Sequence, residues 1–307
     1  MDVCSVLPGR VLVFGGSGYI GRALLRAVGQ DRALGTFFQN PFPGGRFFDP
    51  ARMALTALLQ DQGDFSHALI LLKSNGPVDG FAGDAEGFYR ANVTHVIALI
   101  EQLFALGIKP IFLSSDTVFD GRTGSYTEED LPNPLMEYAK QKVAVERHLQ
   151  QSGHDHVIIR LPKVYGVTRG DGTLFTQWLE ALQKGTTLQL AWDQKLSPIV
   201  IGDVVRGLLA TVTHDLSGLF HLCGPAAFSR VDLFQMLCAA LRSRLGDIPE
   251  IPVQQCRIND LAFRERRPID CSMNPGKFVR AVGLQLQTVE ESCRVIADSL
   301  GVWPPPD

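Results

Sequence analysis

Tyr138 and Lys142 stand four residues apart in Tyr138-Ala-Lys-Gln-Lys142, inside a stretch whose pattern predicts a helix over Met136–Gln151. Residues i and i+4 share a helical face, so phenol and ammonium can converge. A tyrosine of pKa about 10 is a poor acid–base group at neutral pH. A cation beside it stabilises the phenolate and lowers that pKa. The spacing therefore predicts a tyrosine tuned downward by Lys142 for proton transfer at a carbonyl or hydroxyl oxygen. The same lysine can hold ribose hydroxyls. Upstream, the apolar run Pro110–Ser114 reads as a strand that runs directly into Ser115-Asp116, bringing hydroxyls to its end.

A second constellation is Gly15-Gly-Ser-Gly18-Tyr-Ile-Gly21, which follows the strand signal Arg10–Phe14 and opens a helix over Ile20–Val28. Its spacing is G-x-x-G-x-x-G. Glycine permits the tight turn, lets backbone N–H groups approach a pyrophosphate and allows close helix–strand packing. The helix N-terminus adds partial positive charge for the phosphates. The next strand, Ala33–Phe38, leads into Gln39-Asn40 rather than Asp or Glu, so no carboxylate repels a 2′-phosphate. Arg22 and Arg46 are nearby cations suited to that phosphate, which favours NADP(H) over NAD(H). Gln39 and Asn40 also suit a plain ribose. Asp49, ending the following extended stretch, is a candidate for contact with the adenine.

Positioning these groups falls to alternating strands and helices. Ala51–Gln60 reads as a helix, Ala68–Leu72 as a buried strand, Phe88–Leu106 as a helix stopping at Gly107, and His156–Leu161 as a strand. That alternation predicts an α/β fold with a parallel, doubly wound sheet. Beyond Tyr165-Gly166 the pattern loosens, although Ser229 precedes a helix over Arg230–Leu241. Thr288 and Glu291 form a capping box for Val289–Leu300. The expected organisation is a nucleotide-binding domain over residues 1–165 with a return segment near 196–214. Residues 166–195 and 215–307 are expected to form a small substrate-binding region packed on it, too irregular to stand alone.

Composition agrees with a globular enzyme or binding protein. The chain has 307 residues, 45% hydrophobic and 20% charged, too apolar for disorder. A formal charge of −3 without a basic cluster argues against nucleic acid and anionic membranes as partners. No apolar run approaches a membrane span. Met1-Asp-Val-Cys-Ser5 lacks a basic-then-apolar leader, and no two of the six cysteines have C-x-x-C spacing. Both features point to a reduced, cytoplasmic setting without a cysteine metal site. His154-Asp155-His156 reads as a solvated loop.

Taken together, the glycine turn, the strand-end serine and the Tyr138/Lys142 pair resemble the extended short-chain dehydrogenase/reductases. Within them the resemblance is to the dTDP-4-dehydrorhamnose reductase family, which includes the β regulatory subunit type of methionine adenosyltransferase. The carrying segments are Leu113–Gly121, Tyr126–Pro134, Tyr138–Glu146, Arg160–Gly166, Asp193-Gln194 with Ser197-Pro198, and Arg267-Pro268.

The resemblance implies a Rossmann-type domain with a small C-terminal substrate-binding lid, and hydride transfer from NADPH to the C4 keto carbon of a sugar nucleotide. It implies Tyr138 as proton donor, Ser115 as the hydroxyl bonding the oxygen, Lys142 as ribose-binding lysine and Asn92 as its support through water. The expected cofactor site comprises Gly15, Ser17, Gly18, Tyr19, Ile20, Gly21, Gln39, Asn40, Arg46, Asp49, Leu72, Lys73, Asn92, Ser114, Tyr138, Lys142 and Leu161. The expected substrate contacts are Ser115, Asp116, Val118, Lys163 and Arg267.

Three departures stand out. Lys163 replaces a usual Trp, Thr117 a usual Tyr, and Leu71–Asp79 lacks the usual Ala-rich run. They bear on the sugar more than on the cofactor. Lys163 is either a surface lysine or a cation for an anionic substrate. Three alternatives to a keto-sugar reductase are a silent NADP-binding regulatory subunit, an epimerase or isomerase, and a reductase of a non-sugar metabolite. A homodimer through helices of the nucleotide domain is a further expectation.

Overall fold

The computed structural model describes residues 7–72, 80 and 83–301. Arg10–Phe14 forms β1, whose residues 11–14 are all buried, the run expected of a strand covered on both faces. Helix α1, Tyr19–Val28, follows the glycine turn, then come β2 (Ala33–Phe37) and the two-residue β3 (Arg46–Phe47). After α2 (Leu55–Leu59) and β4 (Phe65–Ile70), a helix begins at α3 (Ala85–Tyr89). It passes through a π-helical turn at Arg90–Thr94 and continues as α4 (His95–Ala105). Next are β5 (Lys109–Ser115), a 3₁₀ turn at Asp116–Val118, α5 (Glu137–Gln151), β6 (Val157–Leu161) and β7 (Val164–Tyr165). The C-terminal part supplies α6 (Leu174–Lys184), β8 (Leu188–Ala191), β9 (Lys195–Leu196), β10 (Ile199–Val200), α7 (Ile201–Thr213) and β11 (Gly218–His221). It ends with β12 (Phe228–Ser229), α8 (Arg230–Leu245), β13 (Val253–Cys256), α9 (Gly276–Val282) and α10 (Val289–Leu300).

Seven strands form one sheet in the order β11-β6-β5-β4-β1-β2-β3. Every neighbouring pair is parallel. This is the doubly wound Rossmann-type fold expected from the alternating pattern. Alternate strand residues feed two cores. Val11, Val13, Ile111 and Ile159 pack under α1 and α7. Leu12, Phe14, Phe112 and Ile158 pack under α2, α4 and α5. Each fully buried Leu, Val or Phe contributes roughly 1.5–3 kcal/mol. The strand order reverses between β1 and β4, and the carboxyl ends flanking that switch point are where such sheets bind ligands.

Three expectations change. The helix over 51–60 shrinks to Leu55–Leu59, because Asp49 turns the chain, accepting from Ala51 N at 2.9 Å through its side chain and from Met53 N at 2.9 Å through its carbonyl. The helix expected from Phe88 begins at Ala85, capped by Asp84, whose Oδ1 accepts from Gly87 N at 2.9 Å. Residues 218–221, expected in the substrate-binding region, instead extend the large sheet beside β6. That strand opens on glycine and ends on histidine, so it carries no apolar run to announce it. The C-terminal part also has its own buried cluster, built around Tyr165, Phe175, Trp178, Leu233, Leu237 and Ile296.

Candidate active site

The glycine turn is shaped by close approach. Gly15 has φ +88°, in the left-handed region, and Gly18 N donates to Gly15 O at 3.0 Å. A Cβ on Gly21 would lie 2.4 Å from Gly15 O, so α1 packs against the turn only because Gly21 has none. A Cβ on Gly18 would meet only Gly15 O, leaving that side of the turn open. Neither a side-chain cap nor an acidic residue occupies the first turn of α1. The turn therefore presents free backbone N–H groups and a positive helix end, as a pyrophosphate requires. Ser17 supplies its carbonyl to Arg22 Nη1 at 2.6 Å, Ile20 is partly buried against the core, and the Tyr19 hydroxyl donates to Asp171 Oδ2 at 3.2 Å.

At the adenosine end, Gln39, Asn40 and Arg46 are exposed at the rim beyond β2 and β3. Asp49 is committed to its local turn and to an ion pair with Arg52 at 3.8 Å. Leu72 packs against the core beyond β4, and Lys73 lies outside the described residues.

Tyr138, Ser115 and Asp116 converge where β5 ends and α5 begins. Ser115 Oγ donates to Asp116 Oδ1 at 3.0 Å, lies 2.9 Å from Thr117 Oγ1, and shares a hydrogen bond with the Tyr138 phenol. Lys142, one helical turn beyond Tyr138, donates from Nζ to Leu113 O at 2.8 Å. The same ammonium lies 4.7 Å from the Phe112 ring centre and 5.9 Å from that of Tyr138.

The expected lowering of the Tyr138 pKa does not occur. Burial first, and the Asp116 carboxylate second, push it up to about 12, against the pull of the Ser115 hydrogen bond. Burial likewise raises the Asp116 carboxyl to about 7, against its hydrogen bonds and the more distant Lys163.

Asn92 sits on the π-helical turn and donates to Gln141 Oε1 at 2.9 Å, which brings it to the residue beside Lys142. Lys163 follows β6, and its carbonyl accepts from Ile199 N at 3.1 Å. The side chain is exposed overall, yet its surroundings desolvate it enough, together with Arg230, to lower its pKa, and Asp116 opposes this. Arg267 lies with its guanidinium 4.5 Å over the Phe263 ring and Nη1 beside Sδ of Met136, the residue ahead of α5. It borders a cleft of about 320 Å³ between Asp120–Arg122 and Arg266–Asp270.

Three expected contacts face elsewhere. Ser114 alternates with Ser115 along β5, so its hydroxyl turns beneath the site and donates to Glu146 Oε1. Leu161 is buried in the core on the α1 side, and Val118 is fully buried among Phe119, Tyr126 and Met273. Those two side chains are withdrawn from any ligand surface.

With this geometry in place, residues 9–301 match the family described as RmlD substrate binding domain. The chain belongs to that family. A dTDP-4-dehydrorhamnose reductase of Sinorhizobium fredii is 28% identical over 231 residues, 71% of this chain and 72% of the relative. Methionine adenosyltransferase 2 subunit beta of Bos taurus is 28% identical over 241 residues, 75% of this chain and 70% of the relative. In fold, the chain resembles a dTDP-4-dehydrorhamnose reductase of Bacillus anthracis solved in complex with NADP. The TM-score is 0.78 at 17% identity, covering 95% of this chain and 99% of that one.

This family member also carries polar groups that the sequence reading missed. Glu146 accepts from Arg160 Nη2 at 2.7 Å and from Arg160 Nε at 3.1 Å, both side chains being buried. Arg160 Nη1 faces His221 Nε2 at 3.4 Å, and His221 Nδ1 donates to Tyr126 O at 3.1 Å. Burial first, then the Arg160 charge, lower the His221 pKa to about 3. Arg230 Nε donates to Gln194 Oε1 at 3.1 Å, near Lys163. Glu146 could have been found as the next residue after Tyr138 and Lys142 on one helical face. Asp171 and Arg230 gave no such signal.

Proposed function

We propose that this protein is an NADP(H)-dependent reductase of a keto group, acting on an anionic 4-keto sugar nucleotide, with Tyr138 as proton donor. One observation carries the reading. Tyr138 holds its proton tightly beside Ser115, at the strand ends next to an open glycine turn. A phenol pushed up to about 12 is a weaker acid than a free tyrosine, so its proton release depends on the oxygen that gains negative charge and on Lys142 stabilising the phenolate.

The residues present suit a nicotinamide dinucleotide. Gly15, Gly18 and Gly21 would cradle the pyrophosphate, Gln39, Asn40 and Arg46 the adenosine ribose with its 2′-phosphate, and Lys142 the nicotinamide ribose. Such a cofactor supplies hydride when bound. The rest belongs to the chain's own groups. Ser115 donates a hydrogen bond to the substrate carbonyl oxygen and Tyr138 releases its proton to that oxygen. Lys142 neutralises the phenolate left behind. Asn92 supports α5 through Gln141, and Lys163 with Arg230 offers positive charge to the substrate's anionic part. Support for NADP(H) comes from the likeness to the Bacillus anthracis reductase and from the absence of a carboxylate after β2. The keto sugar rests on the relation to dTDP-4-dehydrorhamnose reductases.

A second reading, a regulatory subunit that holds the cofactor without turnover, is favoured by the likeness to subunit beta of methionine adenosyltransferase 2. NADPH oxidation with a panel of keto substrates separates the two. A reductase oxidises NADPH with a member of the panel, whereas a regulatory subunit binds NADPH and leaves it unchanged with all of them.

A further inference from the structure

The Asp116 carboxylate lies buried at 8% exposure, directly after Ser115. Among the described residues no cation forms an ion pair with it, and Lys163 acts only from further away. Its donors are the Ser115 hydroxyl at 3.0 Å and the backbone N–H groups of Thr117 and Asp116 itself. Ser115 Oγ meanwhile receives the Thr117 N–H at 3.2 Å, lies 2.9 Å from Thr117 Oγ1, and bonds the Tyr138 phenol. A hydroxyl has one hydrogen and two lone pairs. An ionised carboxylate can only accept, so it takes that single hydrogen. Ser115 then accepts from Tyr138 and Thr117, and no hydrogen is left for a carbonyl oxygen in the site. A protonated Asp116 donates its O–H to Ser115 Oγ, which with the Thr117 N–H fills both lone pairs. The Tyr138 phenol then leaves Ser115 for the carbonyl oxygen, and the serine hydrogen is freed toward the same oxygen.

Resting on the reductase reading, we infer that Asp116 is a positioning residue that directs the Ser115 hydrogen. Protonated, it turns that hydrogen toward the reacting carbonyl; ionised, it withdraws it. The switch falls in the working range, because burial raises this carboxyl to about 7. The groups facing it are Tyr138 on α5, Lys163 after β6, Cys223 after β11 and Cys271 ahead of α9. Burial raises the pKa values of the phenol and both thiols, so near neutrality Lys163 supplies the charge in that set. No net proton is consumed at Asp116: Tyr138 supplies the proton to the product oxygen, and Asp116 only orients its neighbour.

The test is the pH profile of kcat for wild type and Asp116→Asn, with ¹³C carboxyl NMR of the NADP⁺-loaded chain as a second readout. Asparagine donates from its amide at every pH. Wild-type kcat should fall about tenfold per pH unit above the Asp116 titration, and the Asn variant should lose that limb. The Asp116 carboxyl should titrate far above ordinary aspartates and rise further in Ser115→Ala, where one hydrogen bond to its charged form is gone. A limb that persists in Asp116→Asn, or a carboxyl that ignores Ser115→Ala, overturns the proposal. If wild type reduces no keto substrate, the reductase reading fails, and the NMR response to Ser115→Ala still decides whether Asp116 governs this hydroxyl.

Discussion

Arg160 Nη2 lies 2.7 Å from Glu146 Oε2, with the two side chains 1% and 2% exposed. The pair stands immediately beneath the site. Glu146 follows Lys142 by one turn of α5, and Ser114, which donates to Glu146, precedes Ser115 on β5. Removing one partner of such a pair leaves a buried charge uncompensated, at a cost of about 3–5 kcal/mol. Glu146→Ala should lose stability on that scale in urea unfolding. A loss below about 1 kcal/mol would show that the pair is solvated in a way the burial denies.

His221, the next member of that network, predicts the acid limb of stability. Its folded pKa is lowered to about 3, whereas the unfolded value is about 6.5. Above the unfolded value both states are neutral and the group contributes nothing. Below it the unfolded chain takes up a proton that the folded chain refuses, so stability declines as pH falls from about 6.5 toward 3. His221→Gln should flatten part of that decline in thermal melts followed by circular dichroism. Equal slopes in variant and wild type would remove His221 from the acid transition.

Much of this was legible beforehand, and the rest failed for identifiable reasons. The glycine turn and Tyr138/Lys142 are local patterns, and strands such as β1, apolar throughout Val11–Phe14, are continuous apolar runs, so periodicity sufficed for them. The Ser114 hydroxyl, expected at the cofactor, turns to Glu146 because two adjacent strand residues point to opposite faces. The register of β11 on β6 sets His221 opposite Arg160, and Glu146 reaches Arg160 from α5; neither contact is encoded by a local signal. The Tyr138 pKa was expected to fall because Lys142 was counted and burial was not. In the fold the lysine ammonium is bound to Leu113 O, while desolvation and Asp116 act on the phenol.

Tyr138→Phe should cut turnover by about 10²-fold or more while leaving NADPH affinity nearly unchanged, since the ring stays and only the acid leaves. Lys142→Ala should damage both, because its proposed role spans ribose and phenol. Near wild-type turnover in Tyr138→Phe would reject the assignment of the proton donor.

Lys163→Met keeps the aliphatic stem and removes the charge. It should lower kcat/KM by on the order of tenfold, the loss of one charge-assisted hydrogen bond of about 1.5–3 kcal/mol, with cofactor affinity constant. Unchanged kcat/KM would make Lys163 a rim lysine without a role in binding the substrate.

Cofactor choice is open to direct titration. With no carboxylate after β2 and with Arg22 and Arg46 at that end of the sheet, NADPH should bind several-fold tighter than NADH. Equal affinity, or a preference for NADH, would contradict the assignment of Gln39, Asn40 and Arg46.

The most direct measurement is the fall in NADPH absorbance when the purified chain meets a panel of keto sugar nucleotides, with NADPH binding measured on the same sample. The account predicts oxidation with a 4-keto sugar nucleotide, abolished in Tyr138→Phe. Tight NADPH binding without oxidation by any member of the panel would contradict it and leave the regulatory-subunit reading standing.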